Sequence, residues 1–98
     1  MRRATHAQTH RNESRKDGST IHQATYRLDP PLELTPHHLE GKAELVIVST
    51  SLDPRHEIDE TIISPTNEAR GNRIGIEILR TPATSHQAAL ERLGYSLG

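Results

Sequence analysis

The chain has 98 residues, 12 basic and 13 acidic side chains, and a formal net charge of -1 at pH 7, so its length allows one small domain at most. It contains no Cys, Trp or Phe, which excludes disulfides, thiolate metal sites and cysteine nucleophiles and removes the usual stacking platforms for single-stranded nucleic acid. No apolar run approaches the ~20 residues that span a bilayer, and no apolar segment follows Arg2 and Arg3 to form a secretory signal. We therefore expect a cytoplasmic protein without membrane contacts.

Residues 1–20 differ from the rest of the chain because they contain almost no large apolar side chains. Such a segment cannot bury enough surface to offset the entropy of ordering it. We predict a flexible polar arm over residues 1–20, with Asp17-Gly18-Ser19 as its hinge, and a single folded domain over residues 21–98. The arm carries five basic side chains that are candidate phosphate contacts. They are Arg2, Arg3, Arg11, Arg15 and Lys16.

The folded part begins with a predicted strand over residues 21–28, where apolar and polar side chains alternate. Asp29-Pro30-Pro31 is expected to end this strand, because proline cannot donate to the hydrogen-bond ladder. Residues 35–41 predict one helical turn. Thr35 suits its N-cap and Gly41 suits the left-handed exit.

The middle of the chain predicts further strands. Leu45-Val46-Ile47-Val48 is typical of a strand buried on both faces, and therefore of a central position in the sheet. Residues 49–55 are expected to form a loop, followed by a shorter strand over residues 58–64. Gly71-Asn72 predicts the polar tip of a hairpin that leads into a strand over residues 74–79.

The last predicted element is a helix over residues 85–93, with apolar side chains at helical spacing on one face. Thr84 is the expected N-cap and Gln87 the second member of a capping box. Gly94 is the expected left-handed terminator, which allows Tyr95 to fold back on the helix.

Together these elements predict a small α+β fold. It consists of a mainly antiparallel four-stranded sheet with one C-terminal helix packed on it, preceded by the flexible N-terminal arm. The chain has 20 Leu, Ile and Val residues. We expect them to fill one small core without also lining a roomy apolar pocket.

Four short runs carry a family resemblance. They are Tyr26-Arg27-Leu28-Asp29-Pro30-Pro31-Leu32, Leu45-Val46-Ile47-Val48-Ser49, Glu60-Thr61-Ile62-Ile63 and Ala89-Leu90-Glu91-Arg92-Leu93-Gly94-Tyr95. Together they resemble small uncharacterised proteins of actinobacteria and their phages, over residues 26–95. His86 matches the histidine that starts the family's C-terminal helix, whereas Ile62 and Ile63 replace its strand aromatics. The resemblance implies a domain boundary ahead of residue 26 and no named activity.

Two pairs of histidines have spacings that deserve a test as metal ligands. His6 and His10 are four residues apart, and His37 and His38 are adjacent. A pair at positions i and i+4 chelates a metal only on a helix, and the segment around His6 has no apolar face to hold one. No Cys or carboxylate lies at supporting spacing. We therefore predict solvated histidines, no metal site and no cofactor.

A second cluster combines a histidine with carboxylates at one strand entry. Its members are His56, Glu57, Asp59 and Glu60. Such groups perform acid–base work where a pocket desolvates them, and otherwise form a charged edge that discourages sheet aggregation. We favour the charged edge because so small a core hardly supplies a cleft. No catalytic residue is predicted, and the chain is not expected to be an enzyme.

Two functions from different classes remain. The first is a non-enzymatic protein-interaction module that binds a protein partner or itself, for instance by strand addition at an exposed sheet edge. The resemblance implies a host or virion protein as this partner. The alternative is an accessory nucleic-acid-binding protein whose basic arm contacts phosphates. A small hydrolase built around His56 is a third and weaker hypothesis.

Overall fold

The computed structural model describes residues 2–33, 42–66 and 77–98. In chain order the elements are β1 (Arg3–Ser14), β2 (Thr20–Glu33), β3 (Lys42–Asp53), a 3-10 turn (Pro54–His56), β4 (Ile58–Thr66), β5 (Leu79–Thr81), α1 (His86–Arg92) and β6 (Ser96–Leu97). The strands form one sheet in the order β5-β4-β3-β2-β1-β6. The β1–β6 pair is parallel and the others are antiparallel. The fold is therefore mainly β: a mixed sheet curled into a half-barrel.

The predicted four-stranded α+β fold is wrong, because the sheet has two additional strands, β1 and β6, one from each end of the chain. Both strands lack the apolar alternation that reveals a strand in a sequence. β1 has one buried side chain, Ala4, and β6 has two residues with neither side chain buried. Main-chain hydrogen bonds are their main link to the sheet, and only Ala4 and Leu97 add apolar contacts with the core.

The predicted flexible arm is also wrong, since β1 pairs with β2 at ten positions between Arg3 and Ser14. A tight turn joins the two strands. The N–H of Arg15 donates to the Ser19 carbonyl at 2.8 Å, and Gly18 has a φ of 90°. Asp17-Gly18 is therefore a hairpin turn and not a hinge. The short loop makes closure cheap in entropy, and the ladder then satisfies the main-chain groups of a polar segment.

The core lies between the α1 side of the sheet and the helix itself. Val46 and Val48 of β3 and Leu90 of α1 are fully buried and pack in one cluster. Leu45 and Ile47, on the opposite face of β3, are 9% and 5% exposed. This confirms the prediction of a central strand buried on both faces.

Strands β2 and β3 both extend beyond the ends predicted for them. Residues 49–53 continue β3 and are not a loop, because their polar side chains bond across the sheet: Gln23 Nε2 donates to Ser49 Oγ at 3.1 Å. Pro30 and Pro31 do not end β2, which runs to Glu33. They do interrupt its pairing with β3, which shifts register between Arg27 and Leu32, as expected for residues without a donor.

Helix α1 confirms the predicted helix in type and ending but not in its cap. Ser85, not Thr84, is the N-cap, and its Oγ accepts from the Ala88 N–H at 3.1 Å. Gly94 has a φ of 97°, and the Tyr95 N–H donates to the Leu90 carbonyl at 2.9 Å. This is the predicted Schellman ending.

Some predictions fall outside the described residues. These are the helical turn over residues 35–41, the hairpin tip at Gly71-Asn72, and residues 74–76 of the strand predicted over 74–79. Of its described residues, 77 and 78 are not in a strand, and only Leu79 belongs to β5, which runs on to Thr81. In the described ranges, no helix has the length and apolar character needed to cross a membrane.

Candidate functional site

The main-chain groups of residues 5–14 that face away from β2 form a feature that we call the outer edge of β1. Strand β6 covers β1 only at Arg3 and Ala4, where the Gly98 N–H donates to the Ala4 carbonyl at 2.9 Å. Beyond Ala4, none of the described strands pairs with this edge. Unpaired N–H and C=O groups in a row are a template on which another chain can form a strand.

The hydrogen bond at the β1–β2 turn shows which groups face outward. The Arg15 N–H donates to the Ser19 carbonyl and so faces β2. Main-chain groups alternate in direction along a strand, so Glu13 also faces β2, whereas the N–H and C=O groups of Asn12 and Ser14 face outward.

Two β-bulges divide the outer edge. The register with β2 shifts between His6 and Gln8 and again between Thr9 and Arg11. Bulges bend a strand and disrupt regular pairing, and they commonly protect sheet edges. The longest bulge-free part of the outer edge is therefore residues 11–14.

The bulge-free segment carries one charge of each sign on the same face. Arg11 Nη2 and Glu13 Oε2 lie 2.6 Å apart, and the two side chains are 43% and 48% exposed. An ion pair this open to water contributes little to stability. Both charges are accessible to another chain.

The five basic residues predicted to contact phosphates do not come together. Arg2 and Arg3 lie at the start of β1 near β6, Arg11 lies in mid-strand, and Arg15 and Lys16 lie in the turn at the far end. At ~3.3 Å per residue, roughly 40 Å of strand separates Arg3 from Arg15. They form a line along an ordered strand and not a compact patch.

A surface cleft of about 520 Å³ lies between the end of β2, the start of β3, and the side chains of Arg2 and Tyr95. Its lining residues are Arg2, Pro30, Pro31, Leu32, Glu33, Lys42 and Tyr95. The Tyr95 hydroxyl donates to the Pro30 carbonyl at 2.5 Å, and the Arg2 guanidinium lies over the Tyr95 ring, 5.7 Å from its centroid. The cations Arg2 and Lys42 and the Glu33 carboxylate line this cleft, so its charge is mixed.

A hydrogen-bonded and stacked network under the N-terminus of α1 was not predicted; Tyr26 and His86 are buried in it, whereas His6 is exposed. We call it the Tyr–His cluster, formed by His6, His22, Tyr26 and His86. The Tyr26 hydroxyl lies 2.8 Å from His86 Nδ1, and His86 Nε2 lies 3.0 Å from the His22 carbonyl oxygen. The rings of His22 and His86 stack with centroids 3.8 Å apart. The His6 ring meets the edge of Tyr26 at 5.7 Å.

These contacts determine the tautomer of His86. A carbonyl oxygen only accepts, so Nε2 carries the proton and Nδ1 accepts from the Tyr26 hydroxyl. Burial lowers the pKa of His86 to about 4, helped by the neighbouring His22, and burial also lowers the pKa of His22. His86 is therefore neutral at pH 7. Both its ring nitrogens are bonded inside the protein, which makes the cluster a packing element for α1.

The cluster of His56, Glu57, Asp59 and Glu60 is dispersed among separate partners. His56 Nδ1 lies 2.7 Å from the Asp53 carboxylate. Asp59 accepts from the Ala83 backbone N–H at 2.7 Å. Glu60 accepts from the Arg80 guanidinium. Glu57 is exposed and adopts a φ of 55° after the 3-10 turn. The structure does not converge these groups on a common point.

The candidate histidine pair also separates. His6 Nε2 bonds to Thr9 at 2.7 Å on the α1 side of the sheet, and His10 Nε2 bonds to Thr25 at 2.7 Å on the other side. Among the residues that the structure describes, no three His, Cys, Asp or Glu side chains group as metal ligands. His37 and His38 lie outside the described residues.

Sequence reasoning missed both the outer edge of β1 and the Tyr–His cluster. A signal existed for each: Asp17-Gly18 is a strong hairpin turn pair, and His22 and Tyr26 share one face of a predicted strand. Comparisons of the chain with family models, curated proteins and solved structures gave no match. The resemblance over residues 26–95 therefore stays a prediction.

Proposed function

We propose that this chain is a non-enzymatic protein-interaction module that binds an extended segment of a partner protein along the outer edge of β1. The observation that supports the proposal is the length of that edge, which no described strand covers beyond Ala4. In strand addition, main-chain hydrogen bonds provide affinity, and alternate side chains provide specificity.

The chemistry of the remaining groups favours binding over catalysis. Both ring nitrogens of His86 are bonded within the Tyr–His cluster. The carboxylates of Asp59 and Glu60 have structural partners. Within this proposal the protein acts in the cytosol, and the resemblance to proteins of actinobacteria and their phages makes a host or virion protein the expected partner.

The alternative of an accessory nucleic-acid binder was based on a flexible basic arm. The bases now lie along an ordered strand, and Arg11 is paired with Glu13. Phosphate contacts by Arg2, Arg3, Arg15 and Lys16 would have to span both ends of β1. No observation favours this function over strand addition, and the experiment below distinguishes the two.

The test removes one outward N–H donor of β1 and leaves the hydrogen bonds between β1 and β2 intact. Asn12→Pro deletes the outward N–H of Asn12, a position where proline is tolerated in an edge strand. Asn12→Thr is the matched control, because it keeps that N–H and suits a strand. Each chain captures proteins from a lysate of the source organism, with and without nuclease, after circular dichroism has shown that all three fold alike.

A protein held by the parent chain and Asn12→Thr but lost from Asn12→Pro supports the proposal. A protein held equally by all three chains refutes the role of the edge. Recovery of nucleic acid alone, lost after nuclease, replaces the proposal with the alternative.

A further inference from the structure

The bulge-free residues 11–14 of the outer edge have a charge pattern that complements itself. When two copies of β1 run antiparallel about a two-fold axis at Asn12, Arg11 of each copy faces Glu13 of the second copy. Asn12, whose N–H and C=O groups face outward, then exchanges both main-chain hydrogen bonds with Asn12 of the second copy. Opposite charges placed directly across a strand pair are stabilising.

Neighbouring registers lack this complementarity. An axis at Arg11 or at Glu13 places like charges directly opposite each other, which is destabilising. An axis at Ser14 pairs Glu13 with Arg15, which lies in the turn outside β1. Within residues 11–14, an axis at Asn12 is therefore the arrangement in which outward main-chain groups pair and opposite charges face each other.

The surroundings of the segment limit how far such pairing extends. The bulge at His10 ends regular pairing on one side, and the Asp17-Gly18 turn ends the strand on the other. The result is a short, closed two-fold contact and not an open array. The exposed Arg11 and Glu13 side chains can re-pair between copies without first being uncovered.

We propose that a second copy of this chain is a partner of the outer edge of β1, bound antiparallel about Asn12 through reciprocal Arg11–Glu13 pairs. This inference rests on the proposed function, because it uses the same edge. It names the partner and the residues that select the register.

Charge exchange tests the inference. Arg11→Glu gives a chain with two acids at positions 11 and 13, and Glu13→Arg gives a chain with two bases. Sedimentation equilibrium measures self-association of the parent, of each variant alone and of an equimolar mixture, at concentrations up to about 1 mM, so that weak complexes are detected. Circular dichroism verifies folding, which the loss of an exposed ion pair should hardly affect.

The parent is expected to dimerise. Each variant alone should dimerise at least about tenfold more weakly, because two attractive pairs become repulsive. The mixture should recover dimers, since acids of one chain then face bases of the other. No intrachain effect of the substitutions produces that recovery.

A parent that stays monomeric up to about 1 mM overturns the inference. So does self-association that both variants retain, because it places the contact elsewhere. Either result leaves the proposed function standing if Asn12→Pro still loses a captured protein that Asn12→Thr retains. Loss of both effects removes the outer edge of β1 as an interaction surface.

Discussion

Acid should weaken this fold through His86. The folded protein holds the ring neutral, 5% exposed, between Tyr26 and the His22 carbonyl. Protonation at Nδ1 removes the acceptor of the Tyr26 hydroxyl and places a cation against the stacked His22 ring. His6, at the edge of Tyr26, also lowers the pKa of His86 through its charge, and none of the described contacts of His86 involves a carboxylate.

The direction and size of the change in unfolding free energy follow from the pKa values of His86 in the unfolded and folded states. The pKa falls from 6.5 in the unfolded chain to about 4 in the fold, so the unfolded state binds the proton more tightly. The stabilisation is present above pH 6.5 and is lost as the pH falls toward 4. The full difference corresponds to about 3 kcal/mol of unfolding free energy, of which about 2 kcal/mol is lost by pH 5.

The assay is urea unfolding at pH 7.5 and pH 5, followed by circular dichroism, for the parent chain and His86→Gln. Glutamine can offer a donor and an acceptor near the two ring nitrogens but does not titrate. Its unfolding free energy at pH 7.5 should be lower than that of the parent, because buried hydrogen bonds are less well made. Its further loss on acidification should be smaller by about 2 kcal/mol.

Equal losses of unfolding free energy in the two chains between pH 7.5 and pH 5 would contradict the lowered pKa of His86. That result would mean that His86 protonates in the folded state as easily as in the unfolded chain. The interval stops at pH 5 because most ordinary carboxylates stay ionised above it.

Two predictions concern the ends of α1, and urea unfolding of the variants measures both. Ser85→Ala should lower the unfolding free energy by about 1 kcal/mol, because Ser85 Oγ caps the Ala88 N–H. Gln87→Ala is the control, since Gln87 bonds to Glu91 and not to the cap. An equal loss in both variants would contradict the assigned cap. Gly94→Ala should lower the unfolding free energy by roughly 1–2 kcal/mol, because Gly94 has a φ of 97°. The added methyl group meets no steric clash, since its nearest atom is Arg2 Nη1 at 3.5 Å. Unchanged stability would contradict the left-handed ending of α1.

The parts of the fold that local chemistry determines could be predicted from the sequence. The four branched residues 45–48 identify a central strand, and Gly94 followed by Tyr95 identifies the end of α1. In each case the signal lies within a few residues of the structure that it predicts. Thr84 and Ser85 are both good caps, and only tertiary contacts separate them: the Thr84 N–H donates to Thr61 Oγ1 at 3.0 Å.

Strand β1 could not be recognised from apolar periodicity, because its contribution to the sheet is main-chain pairing. A polar segment that carries five basic residues looks disordered when only side-chain burial is considered. The Asp17-Gly18 pair is the local signal that outweighs this appearance, since it joins two strands by a tight turn.

For the Tyr–His cluster, the sequence shows that His22 and Tyr26 share one face of a strand, but it does not show their contacts with His86. His86 meets Tyr26 and His22 across 60 and 64 residues of chain. Such contacts depend on where α1 crosses the sheet, and no spacing in the sequence encodes that position. For the same reason the cluster of His56, Asp59 and Glu60 looked like a site although each side chain has a different partner.

Amide hydrogen exchange of a dilute sample, followed by NMR at Asn12, Glu13 and Ser14, shows whether β1 belongs to the sheet and leaves its outer edge open. We expect a protected Glu13 N–H, which faces β2, between two rapidly exchanging neighbours, Asn12 and Ser14. Fast exchange at all three would contradict the strand, and equal protection at all three would contradict the open edge.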